Sequence, residues 1–105
     1  MKLDEDTIKA LKAQYGDRLY ILSGGGYEVA VTIPSPEAYD RYLAMAASDE
    51  ERHAAAATLF RDCVVAPDKE QIREILQRKP ALATLWGRAC SEIAGGNDKI
   101  EVKKA

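Results

Sequence analysis

The pattern along this 105-residue chain predicts an α+β fold: an N-terminal helix, one β-hairpin, then about four short helices packed on it. Three observations carry that expectation. Two runs rich in β-branched and aromatic residues, Arg18–Leu22 and Tyr27–Ile33, flank the nearly all-glycine linker Ser23–Gly26, which is a hairpin signal. The remaining chain repeats apolar residues at helical spacing between closely set prolines and glycines. Strands and helices do not alternate, so a parallel sheet is not expected.

Each element follows from local chemistry. Asp4 or Asp6 can cap a first helix running to about Tyr15, with Ile8 and Leu11 as its buried side and Gly16-Asp17 as its stop. In the second strand Tyr27, Val29, Val31 and Ile33 point one way, and Glu28, Ala30 and Thr32 the other. A hairpin alone is marginal in water, so helices must cover one side of it. Ser35 can cap the next helix with Pro36 at its first position, and Tyr39, Tyr42, Leu43 and Ala46 form its stripe. Ser48 and Glu51 have capping-box spacing and open a helix carrying Ala56, Leu59, Phe60, Cys63 and Val64, closed by Pro67. Asp68 restarts the chain with Ile72, Ile75 and Leu76 as the stripe. Pro80 fits the first position of a last helix whose stripe is Leu82, Leu85, Trp86, Ala89 and Ile93, ended by Gly95-Gly96-Asn97. Links this short make residues 1–96 one domain and leave 97–105 as a frayed or weakly extended tail.

Composition narrows the class. Hydrophobic residues are 47% and charged residues 30%, which excludes a disordered, collagen-like or membrane-spanning chain. A net charge of −2 argues against a dedicated nucleic-acid binder. The acidic start, Asp4-Glu5-Asp6, lacks the basic-then-apolar order of a secretory signal, so the expected compartment is the cytoplasm and no membrane partner is expected. There Cys63 and Cys90 read as small, reduced, buried hydrophobes. Residues 34–66 are acidic and residues 67–105 mildly basic, a distribution that solvated helix faces explain and that could also orient an association.

Tested residue by residue, the chain offers little catalytic chemistry. The glycines of Ser23–Gly26 lead into a strand and no Gly-Lys-Ser/Thr follows, so they read as a turn and not a phosphate loop. His53 and Cys63 sit ten residues apart on one expected helix, roughly 15 Å along its axis, too far for a nucleophile and its base. Asp49, Glu50, Glu51, Asp68 and Glu70 occupy helix starts, where the dipole favours them. No metal-ligand spacing occurs, so no metal or cofactor is expected. The candidate contacts are therefore with protein. They are Tyr27 and Val29 on the ribbon, and Tyr39 and Tyr42, which lie beside Glu37 and Asp40 and can serve either the core or an interface.

Several stretches carry a resemblance: Gly26-Tyr27-Glu28-Val29 leading to Ile33-Pro34-Ser35-Pro36, then Tyr39-Asp40-Arg41-Tyr42-Leu43, then Leu59-Phe60-Arg61-Asp62-Cys63-Val64-Val65-Ala66-Pro67, then Pro80-Ala81-Leu82 to Ile93-Ala94-Gly95. In this order they resemble the small tail assembly chaperones of long-tailed bacteriophages and prophages. The resemblance spans residues 15 to about 96 and rests on the order of the signals, with no single diagnostic motif. It implies a non-enzymatic protein that binds the tape measure protein during tail morphogenesis, helps recruit tail tube subunits, and forms homo-oligomers along a long client. It also implies a longer form made by ribosomal frameshifting. A small structural component of the virion, in the tail or at the head–tail junction, is the alternative reading, and an unrelated protein-interaction module a further one.

Overall fold

A computed structural model describes residues 1–105. The first helix, α1 (Glu5–Tyr15), starts where the Asp4 carboxylate accepts the Thr7 N–H at 2.7 Å. Hydrogen bonds from the Thr7 backbone, then its side chain, hold the Asp4 pKa below its ordinary 3.8. Gly16, at φ 62°, ends the helix in a conformation that costs glycine little. Ile8 and Leu11, expected to be buried, are only half-buried, and no residue of α1 is fully buried. The helix lies on the surface of the domain.

A short turn at Gly16–Arg18 feeds strand β1 (Leu19–Gly24), which pairs antiparallel with β2 (Tyr27–Thr32). Gly25 and Gly26 both have positive φ, as the two-residue turn matching strand twist requires. The register sets Leu22 opposite Val29 and Tyr20 opposite Val31 on the core face. A third strand, β3 (Val64–Ala66), pairs with the other edge of β2 and completes an antiparallel sheet in the order β1-β2-β3. The sequence pattern puts Val64 on a helix. The helix instead stops at Cys63, because β-branched Val64 and Val65 and a pre-proline Ala66 favour extended backbone and β2 offers them a ladder. Met1 lies along the same edge, accepting the Glu28 N–H at 3.0 Å. Val29, Ala30 and Val31 are all 0% exposed, so β2 is covered on both faces, where the sequence led us to expect one.

Helix α2 (Pro36–Ala47) is capped as expected, with Ser35 Oγ accepting the Ala38 N–H at 3.1 Å. The expected capping box at Ser48 does not form. Ser48 closes α2, its carbonyl accepts the Arg52 N–H, and Asp49 binds the Arg52 guanidinium. A tight turn at Arg52–Ala54 then leads to α3 (Ala55–Cys63), which begins without a side-chain cap. Helix α4 (Lys69–Arg78) is capped by Asp68, whose Oδ1 accepts the Gln71 N–H at 2.9 Å. Helix α5 (Ala81–Ser91) runs into a wide turn at Glu92–Gly96, and residues 97–105 carry no regular structure.

One core joins the sheet to the helices: Val29 and Val31 from β2, Leu59, Phe60 and Cys63 from α3, Ile72 and Ile75 from α4, and Leu82, Trp86 and Cys90 from α5. The buried face of α5 is Leu82, Ala83, Trp86, Gly87 and Cys90. Leu85, expected in that stripe, is 52% exposed. The cause is Gly87, where a β-carbon would stand 1.9 Å from the Ala56 carbonyl oxygen, so α5 turns its bare backbone, and not Leu85, toward α3. At this crossing the Phe60 and Trp86 rings meet with centroids 5.4 Å apart. No helix is long and apolar enough to cross a membrane.

Candidate functional site

A groove of ≈ 850 Å³ lies between the end of α3, β3 and one side of α4. It exists because β3 diverts the chain into the sheet, after which Asp68 caps α4 and turns it back past the strand. Val64, Val65, Ile72 and Leu76 are its apolar lining, and Arg61, Lys69 and Arg73 line it as well. The ion pairs of the chain are Arg41–Asp62 and Arg52–Asp49, so these three cations have no partner within the protein. The Asp68 carboxylate also lines the groove and caps α4 through Oδ1, so one negative charge sits among these cations. An apolar stripe edged with positive charge can hold an amphipathic segment that carries acidic side chains beside its apolar face.

The residues singled out from sequence fall elsewhere. Tyr27 is half-buried at the hairpin end of β2, lining a ≈ 160 Å³ cleft with Met1, Gln71 and Arg78. Val29, expected at an interface, is instead 0% exposed on the core face of the central strand, so its side chain offers no surface to a partner. Tyr39 and Tyr42 are half-buried on α2, their rings 5.7 Å apart, with Tyr42 packed against the core. Tyr39 faces the wide turn after α5, its hydroxyl 3.7 Å from where a Gly96 β-carbon would sit. The pairs Tyr27/Val29 and Tyr39/Tyr42 therefore do not form one patch. Arg61, Lys69 and Arg73 read in the sequence as ordinary solvated charges. What could have marked them is the Val64-Val65 run before Pro67, which makes the strand that opens the groove.

The remaining titratable chemistry is internal. Cys63 and Cys90 are both free and buried, and their thiols meet across the α3–α5 contact. The shared hydrogen bond, then burial, push the Cys90 pKa up, while the same bond draws the Cys63 pKa down against its burial. Cys63 is 1% and Cys90 0% exposed, so both thiols are sealed from reagents. We expect both thiols of the folded protein to resist a disulfide-exchange reagent and both to react in denaturant. Fast labelling of the native protein would contradict this burial. His53 is exposed on the turn before α3.

Comparison with known proteins adds fold and family. The uncharacterised protein RBSTP2171 from Bacillus stearothermophilus has a similar structure, with a TM-score of 0.72 at 22% identity. The match covers 91% of this chain and 99% of that one, and at this identity it speaks for the fold alone. No curated protein matches. A family model described as a domain of unknown function, DUF6848, matches residues 11–103, nearly the whole chain including α2 to α5, the groove and most of the tail, and the chain therefore belongs to the DUF6848 family.

Proposed function

We propose that this protein is a tail assembly chaperone of a long-tailed bacteriophage or prophage, acting without enzymatic chemistry in the bacterial cytoplasm. In this reading it binds the tape measure protein while the tail is built and helps recruit tail tube subunits. The client is named by the ordered resemblance running from Gly26 to Gly95. The observation that carries binding is the groove: an apolar lining of Val64, Val65, Ile72 and Leu76 beside the unpaired cations Arg61, Lys69 and Arg73. A tape-measure helix would lay its apolar face there and set acidic residues against the rim.

The test is a co-expression pull-down with a tape measure protein from a genome that encodes this chain. Reversing two rim charges, Arg61→Glu with Arg73→Glu, should reduce retention at least about tenfold, since opposed charges at an interface are costly. Both residues are exposed, so the melting temperature should hold. Tyr39→Ala with Tyr42→Ala leaves the groove intact and should weaken retention less. Undiminished retention by the folded charge-reversal variant would remove the groove from the reading. If the protein is instead a structural virion component, mass spectrometry will find it in purified particles, which a chaperone leaves.

A further inference from the structure

Two parts of the molecule lack a partner, and each has the hydrogen-bonding pattern the other needs. The first is the outer edge of β1. The Arg18 carbonyl accepts the Ile33 N–H, and the register steps from Arg18 to Tyr20, Leu22 and Gly24 as the residues bonded to β2. Leu19, Ile21 and Ser23 therefore turn their N–H and C=O groups to the open side. Tyr20 and Ile21 are 41% and 38% exposed there. Between Leu19 and Gly24 there is no proline, lysine or inward charge of the kind that blunts a free edge.

The second part is the segment after Gly96. Lys99-Ile100-Glu101-Val102-Lys103 alternates charged and β-branched residues, the pattern of a half-covered strand. Ile100 and Val102 are 82% and 91% exposed, the barest large apolar side chains of the chain. The family match runs to residue 103, so this segment lies within the matched domain.

We propose that residues 98–104 of one copy add as an antiparallel strand to the free edge of β1 in a second copy. One register sets Ile100 opposite Ile21, Val102 opposite Leu19 and Lys104 opposite Asp17. It puts Lys103 opposite Arg18, with Glu101 diagonal to Arg18 to offset the repulsion. Tail-to-edge contact is heterologous, so it can continue from copy to copy instead of closing as a pair. The inference does not require the phage client: every measurement below uses this protein alone.

The experiment is sedimentation of the full chain across ~1 µM to ~1 mM, the range in which weak association is measured. The wild type should self-associate. The tail variant Ile100→Glu/Val102→Glu and the edge variant Ile21→Lys should each lose at least about tenfold in affinity while melting normally. Mixed in equal amounts, they should recover a heterodimer, because one still donates a tail and the other still offers an edge. A wild type that stays monomeric would overturn the proposal, whether its tail is free or is protected from hydrogen exchange on its own β1. So would variants that associate like the wild type, or a mixture that recovers nothing.

Discussion

Gly87→Ala should lower the melting temperature by roughly 10–20 °C, a loss of about 2–3 kcal/mol for a domain of this size. Helix propensity alone argues the opposite, since alanine stabilises a helix interior by about 1 kcal/mol over glycine. Packing decides it. The added β-carbon would stand 1.9 Å from the Ala56 carbonyl oxygen and 2.4 Å from its carbon. Both are backbone atoms of a helix and cannot rotate aside, so α3 and α5 must separate along their whole contact. That contact also seats Phe60 against Trp86 and Cys63 against Cys90. Leu85→Ala, two residues away but 52% exposed, should stay within ~1 kcal/mol of the wild type. Thermal unfolding followed by circular dichroism reads both. A Gly87→Ala protein that melts higher than the wild type would show that the helices do not approach this closely.

Trp86→Ala should cost about 3–5 kcal/mol through the cavity left beneath the hairpin. Trp86 is 3% exposed and touches Phe60. Its position beside Gly24 puts the indole between α5 and the end of β1. Its Nε1 is buried without a hydrogen-bond acceptor, an arrangement that costs about 1–3 kcal/mol. Trp86→Phe removes that orphan donor along with some volume, so the two changes oppose each other and the variant should fall well short of the alanine loss. Denaturant unfolding of the two variants gives the comparison. Equal losses would mean that the indole N–H has a partner in the folded protein.

The parts of the fold that were legible in the sequence are those set by short-range chemistry. Asp4, Ser35 and Asp68 each offer a side-chain oxygen three residues ahead of an N–H that needs one, and all three form caps. The glycine pair of the hairpin is legible for the same reason. What stayed hidden depends on distant partners. Val64-Val65-Ala66 becomes a strand only because β2 lies beside it, and the same three letters continue a helical stripe when read alone. Ser48 has the spacing of a cap, but the chain after it forms a turn and the short Arg52–Ala54 helix, so α3 starts only at Ala55, too far along for Ser48 to cap it. Leu85 loses its place in the core to Gly87, an exchange decided by Ala56 on another helix. The groove inherits this problem. Its cations lie on α3 and α4, and only the unforeseen β3 brings Arg61 near Lys69 and Arg73.

That late strand also has a consequence for synthesis. The hairpin leaves the ribosome some thirty residues before Val64, so the nascent chain displays its central ribbon, with Val29, Ala30 and Val31, half-dressed. During that interval the most apolar backbone of the domain is open to any extended neighbour. Other nascent copies on the same message would be the nearest such neighbours.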